Sequence, residues 1–249
     1  MDLTLTHIAY VLGVYLLAGI VKGVVGLGLP TISLVLVVAI FGLKEAMVLL
    51  LVPSLVTNLW QGIFGGQLIT LLHRIWPMLA ALSVVTWFTT GIMFKSDAGL
   101  LSIALGLVLL FYAGVSLATP QIPKPGRREV WMSPLVGALT GVSTGFTGTF
   151  VVPGVLFLQA LRLGKDGFVQ AMGICFTTAT LALGVSLAVR GYMPADLGLL
   201  SIASVIPAIL GMIFGQKVRE KISETKFRRV FFATLLFLGA WMIVRPVVI

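Results

Sequence analysis

Lys22 is the one charged residue set well inside an apolar stretch of this chain. An ionised side chain at membrane depth costs at least about 2.5 kcal/mol on insertion scales, so such a residue marks a functional site by default. It stands in the glycine-rich run Gly19-Ile20-Val21-Lys22-Gly23-Val24-Val25-Gly26-Leu27-Gly28-Leu29-Pro30. A second run has the same character: Gly137-Ala138-Leu139-Thr140-Gly141-Val142-Ser143-Thr144-Gly145-Phe146-Thr147-Gly148. Glycine weakens a helix interior by roughly 1 kcal/mol per residue, so each run is expected to break a helix. The chain leaving a break starts a new helix, whose free N–H groups and positive dipole end attract anions. Pro30 suits a first helical position, and Thr147 and Thr149 are candidate caps for the second new helix. The chemistry this predicts is binding of a small oxyanion between Gly28 and Gly148, with Lys22 as a candidate counter-charge. The bland readings are a lysine that snorkels to an interface and glycines that serve close helix packing, since Gly-x-x-x-Gly recurs at Gly19/Gly23, Gly137/Gly141 and Gly141/Gly145.

Further polar candidates follow each run. Ser54, Thr57, Asn58 and Gln61 fall at i, i+3, i+4 and i+7, one helical face. Gln170, Gly173, Thr177, Thr180 and Gly184 make a comparable face later in the chain. Asn58, Gln170 and Thr177 are the expected additional anion ligands; hydrogen bonding between helices is the alternative use of such residues. No catalytic site is visible. The single cysteine, Cys175, excludes an intrachain disulfide, and the two histidines, His7 and His73, show no ligand spacing. Neither a phosphate-binding loop, a metal cluster nor a nucleophile–His–acid arrangement is present. The expectation is therefore no enzyme activity, no metal and no cofactor.

These residues require a membrane to position them. Of 249 residues, 59% are hydrophobic and 10% charged, with a mean hydropathy of +1.12. That describes an all-α polytopic membrane protein rather than a soluble domain. The net charge of +9 sits in short loops, so membrane orientation explains it and a nucleic-acid partner is not expected. Apolar segments are predicted at 5–25 and 29–41, then 45–64, 75–94 and 99–118. They recur at 132–146 and 149–161, then 167–189, 195–215 and 227–245. The sequence from Thr119 to Glu129 holds three prolines and three basic residues, which exclude a helix in lipid. The predicted organisation is a first repeat (1–118), a cytoplasmic linker (119–131) and a second repeat (132–249). With Asp2 acidic and no basic segment ahead of 5–25, the first apolar segment is expected to direct insertion.

The halves align with one another. Gly19 and Gly23 fall on Gly137 and Gly141 at an offset of 118, and Lys44 falls on Lys165 at 121. If each glycine-broken pair is a hairpin and the other six segments cross once, one face collects Arg74, Lys124–Arg128, Arg162–Lys165 and Lys217–Arg229. That face holds twelve basic residues against four, Lys44, Lys95, Arg190 and Arg245, on the other; the richer face is cytoplasmic. Each half then makes an odd number of crossings, so the two are expected to be inverted-topology repeats, each a glycine-broken helical hairpin plus three transmembrane helices.

The second run, followed by Val151-Val152-Pro153, Leu158-Gln159-Ala160-Leu161, Lys165-Asp166 and Val169-Gln170-Ala171-Met172-Gly173, resembles the TauE/SafE sulfite-exporter family of membrane permeases. The resemblance covers most of the chain. Gly26-Leu27-Gly28-Leu29 and Gly148-Thr149 stand where consecutive glycines are common in that family. It implies secondary export or uptake of small sulfur-containing or carboxylate anions, such as sulfite, organosulfonates or sulfoacetate, across the bacterial inner membrane; export of a sulfur-containing anion, coupled to the proton gradient, is the expectation drawn from it. The partners it implies are the anion, lipid and protons. The residues alone leave open an anion channel, an uptake permease for another carboxylate or oxyanion, and a non-transporting scaffold.

Overall fold

The computed structural model describes residues 3–118, 122–219, 221 and 224–248, and only the backbone of 224–228 and 245–248. Thr119, Pro120 and Gln121 of the linker and the side chains of Lys226, Arg228 and Arg245 lie outside this description. The described residues are helical, joined by short turns, with no strand among them. The first half holds α1 (Leu5–Val25), α2 (Leu29–Phe41), α3 (Leu43–Ile63), α4 (Leu68–Met93) and α5 (Ala98–Ala118). The second holds α6 (Glu129–Thr147), α7 (Gly154–Ala160), α8 (Gly164–Val189), α9 (Ala195–Ala203), α10 (Val205–Arg219) and α11 (Glu224–Val248). Six spans among the described residues are long and apolar enough to cross a hydrocarbon core, with α9 and α10 counting as one.

Both glycine runs break a helix. α1 ends at Gly26 and α6 at Gly148, each in the left-handed conformation (φ 83° and 70°) with its N–H bonded to the carbonyl four residues back, Lys22 and Thr144. These two caps are 122 positions apart, as are Gly42 and Gly164, which also have positive φ. This backbone correspondence shifts the alignment one helical turn from the offset of 118: Gly19 and Gly23 now match Gly141 and Gly145, and Lys22 matches Thr144. The N-terminal end of α1 returns beside the end of α2. His7 packs edge-on against Phe41 at 5.3 Å, and the Tyr10 hydroxyl donates to the Leu36 carbonyl at 2.7 Å. At the other end of the molecule, Arg162 beyond α7 reaches the Ile122 carbonyl ahead of α6.

The remaining glycines of each run do separate work. α1 packs along α10, and α6 along α4. A Cβ at Gly23 would stand 2.8 Å from the Gln216 nitrogen, and one at Gly141 2.7 Å from the Leu82 carbonyl oxygen. Gly19, Gly23, Gly137, Gly141 and Gly145 therefore permit backbone-to-backbone contact, while Gly26, Gly28 and Gly148 carry the breaks.

The centre is the crossing of α3 and α8. Gly62 meets Gly173, and Leu51 meets Gly184, so the two helices run antiparallel. That register brings Asn58 level with Thr177. α3 contains Pro53, which removes the hydrogen bond that the Leu49 carbonyl would accept. Ser201 of α9 donates to Leu49 instead at 2.8 Å and accepts from the Val52 N–H at 3.2 Å. The gap that Pro53 leaves in the hydrogen-bond ladder of α3 is thus satisfied by protein.

Candidate functional site

Lys22 lies in the last turn of α1, where the helix dipole favours a cation. Its side chain is 4% exposed, so the ammonium does not snorkel. It turns into α3, donating to the Thr57 hydroxyl at 3.1 Å and to Asn58 Oδ1. Thr57 in turn donates to the Pro53 carbonyl at 2.8 Å, which leaves its oxygen as an acceptor for Lys22. All three residues are buried. Among the described residues the one ion pair is Arg74–Glu129, so the partners of Lys22 are neutral.

Beside this cation stand polar atoms with nothing to bond. Asn58 Nδ2, Ser54 Oγ and Thr177 Oγ1 are buried and have no hydrogen-bond partner. The contrast within α8 is informative. Thr178 and Thr180 donate one turn back, to the Ile174 and Phe176 carbonyls, as helical threonines commonly do; Thr177 does not. Ser54 and Asn58 are one turn apart on α3, and the crossing register sets Thr177 beside Asn58. Leaving a buried donor unsatisfied costs about 1–3 kcal/mol. Three of them at the α3–α8 crossing, one on the very residue that accepts from Lys22, combine a positive charge with three free donors, a set complementary to a small oxyanion.

The second break is organised differently from the sequence expectation. α7 starts at Gly154, so Thr147 and Thr149 do not cap it. Instead Thr149 Oγ1 lies 2.6 Å from Thr147 Oγ1 and 3.1 Å from Ser143 Oγ, and Thr147 donates to the Ser143 carbonyl at 2.7 Å. These hydroxyls form a buried cluster at the end of α6 and the first residues beyond it. The Gly148 N–H is spent on Thr144, and a Cβ there would press on Met47 and Leu34 at 3.0 and 3.3 Å. On the first-half side, Gly28 is the N-cap of α2, at φ 106°, and Pro30 takes the second helical position, one past the first position expected of it.

Gln170 is occupied elsewhere. Its Nε2 donates to the Gly62 carbonyl at 2.9 Å and its Oε1 accepts from the Gln67 N–H at 2.9 Å, closing the C-terminal end of α3. Gln61 similarly donates to the Val169 carbonyl at 2.8 Å. The structure therefore brings together Lys22, Asn58 and Thr177, groups Thr147 with Thr149, and sets Gln170 at the end of the α3–α8 crossing. Ser54 and Thr57, members of the α3 polar stripe, join this group, although of that stripe the sequence reading took only Asn58 as an expected ligand. Their i, i+3, i+4 spacing with Asn58 was the available signal.

A family model described as "Sulfite exporter TauE/SafE" matches residues 11–242. The chain belongs to the TauE/SafE family. It is a membrane transporter of the sulfite-exporter type and not an enzyme. No curated protein and no solved structure matches the chain. Within this TauE/SafE protein the match spans both glycine runs and every residue of the Lys22 group. The described residues hold no cluster of three or more His, Cys, Asp or Glu suited to a metal, and Cys175 is free and buried.

Proposed function

We propose that this protein is a secondary transporter that carries a small sulfur-containing anion, sulfite or an organosulfonate, bound at Lys22, Ser54, Asn58 and Thr177. The observation that carries this reading is a buried lysine with only neutral partners beside three buried donors without any. A sulfo group presents three oxygens and a negative charge, so it supplies an acceptor to each donor and a counter-charge to Lys22. Gly28, Thr147, Gly148 and Thr149 are proposed to border the same binding site, the hydroxyl pair of Thr147 and Thr149 facing the anion when their mutual bond opens. Gln170 is proposed as a positioning residue that fixes the end of α3 against α8.

Transport is proposed to proceed by alternating access between two inverted repeats, 1–118 and 132–249, joined by the linker 119–131. Two features support this. The α1–α2 hairpin opens toward the end that carries Lys44, and α6–α7 toward the end that carries Lys165. Each hairpin also packs its long arm on a helix of the other half, α1 on α10 and α6 on α4, as expected for halves that rock against one another. Export across the bacterial inner membrane, driven by the proton gradient, is the proposed direction and energy source. Reconstituted flux tests it. Saturable sulfite or sulfoacetate movement that a protonophore abolishes fits the carrier. Single-channel currents would contradict alternating access, and absence of any anion flux or binding would leave the scaffold reading.

A further inference from the structure

The α3–α8 seam continues past the proposed site to an end built from cations and aromatic rings. Lys44, at the start of α3, lies fourteen residues from Asn58, and Arg190, just beyond α8, thirteen from Thr177. At 1.5 Å per residue both stand about 20 Å along the seam, on the face that the loop charges assign as non-cytoplasmic. The Arg190 guanidinium lies 4.6 Å from the Trp87 ring of α4 and donates to the Trp87 carbonyl at 2.9 Å and to the Ser186 carbonyl at 3.1 Å. It occupies a notch left by Gly91, where a Cβ would sit 2.9 Å from its Nη2. Just beyond, Phe94 at the end of α4 stacks on Tyr192 with centroids 3.4 Å apart and planes 4° apart, and the Lys44 ammonium lies 5.3 Å from the Phe94 ring. Among the described residues neither cation has a carboxylate partner. Along the outer side of the seam between this cluster and Thr180 lies an open apolar groove of about 270 Å³, lined by Leu51, Leu55, Gly184 and Ala188 and bordered by the exposed Leu181 and Val185.

Resting on the transporter reading, we infer that Lys44, Arg190, Phe94 and Tyr192 form an anion-operated outer gate over the α3–α8 seam. The Phe94–Tyr192 stack joins the end of α4 to the chain leaving α8 and closes this end of the seam, and the apolar side chains of the seam beneath it, Leu51 among them, resist wetting by an ion while closed. Arg190 pins α4 to α8 through a carbonyl and a ring, both weaker partners for a guanidinium than an oxyanion. An anion arriving at Arg190 and Lys44 takes those donors, releases Trp87 and lets α4 part from α8. The site thereby selects anions before they reach Lys22.

The test uses the full-length protein in spheroplasts, with Cys175→Ala removing the sole cysteine and Leu51→Cys, halfway between gate and site, as reporter. A membrane-impermeant thiosulfonate reports opening, and methanesulfonate, which does not react with thiols, is the anion. Tyr192→Ala is expected to raise the labelling rate about tenfold without anion, the shift from losing one aromatic pair and its burial; Phe94→Leu repeats the test with a milder change. Methanesulfonate is expected to accelerate labelling when the gate is intact and in Lys22→Gln, but not in Arg190→Gln. Rates unchanged in both aromatic variants would overturn the gate. Acceleration kept in Arg190→Gln and lost in Lys22→Gln would overturn the anion sensor while leaving the buried site and the transport reading standing.

Discussion

Replacing Lys22 by methionine separates its role in binding from any role in folding. The fold loses one hydrogen bond to Asn58 Oδ1, whose unsatisfied burial costs about 1–3 kcal/mol. Thr57 keeps its bond to the Pro53 carbonyl and loses little. Against this, removal of an ammonium from membrane depth returns at least about 2.5 kcal/mol, and methionine fills a similar volume without a charge. The two largely offset one another, so stability is expected to change by less than about 2 kcal/mol. Binding has no such offset. A charge-assisted hydrogen bond to the anion is worth about 1.5–3 kcal/mol, which corresponds to a roughly 10- to 150-fold loss of affinity. The assay is thermal unfolding of the detergent-solubilised protein across a sulfite and methanesulfonate titration, alongside flux in proteoliposomes. A Lys22→Met protein that melts like the parent yet needs far more anion to be stabilised fits the reasoning. If half-saturation stays within twofold of the parent, Lys22 is not the counter-charge. If the variant unfolds on extraction, the lysine is there for the fold.

Other perturbations distinguish the remaining roles. Thr177→Val removes a buried hydroxyl that has no partner, so it is expected to raise stability by about 1 kcal/mol while weakening anion binding about tenfold; a melting temperature that falls would show that the hydroxyl is engaged. Gln170→Leu strips the Gly62 carbonyl and the Gln67 N–H of their partners. It should lower stability by about 2 kcal/mol or more with anion half-saturation unchanged once refolded protein is selected, and a selective loss of affinity would move Gln170 into the site. Gly141→Leu places side-chain atoms into the α4 backbone; it is expected to abolish stable insertion, read as loss of a monodisperse peak in detergent, whereas Gly13→Leu, with open space around it, leaves the profile unchanged. Arg74→Gln breaks a bidentate pair with Glu129 at 2.7 and 2.9 Å, but Arg74 is 41% exposed, so the cost is at most about 1 kcal/mol and shrinks further in high salt.

The sequence was most legible where one physical rule acted alone. Hydropathy length placed α1, α2 and α5 to within a residue, because a span's ends are set by where apolar sequence stops. Glycine alone marked both breaks, but not which glycine did what. Gly19 and Gly23 look like Gly26 and Gly28 in the sequence, and only the α10 backbone beside the first pair separates packing from capping. The same ambiguity misled the alignment of the halves by a turn, since a Gly-x-x-x-Gly run matches itself at a shift of four. Thr149 was misjudged as a cap because the chain stays non-helical from Gly148 to Pro153, and residues 149–152 carry neither glycine nor charge to announce that length. Gln170 and Asn58 are chemically alike in an apolar helix. What divides them is the crossing partner, a bare carbonyl at Gly62 for one and a buried ammonium for the other, and a non-local contact leaves no mark in a local pattern.

The central claim is that a sulfo group sits among Lys22 Nζ, Asn58 Nδ2 and Thr177 Oγ1. The most direct test is a crystal structure with 2-bromoethanesulfonate, located by the anomalous signal of bromine. The account predicts a peak at the α3–α8 crossing with sulfonate oxygens within about 3.2 Å of those three atoms. A peak bound elsewhere, or none at a concentration that saturates transport, would contradict it.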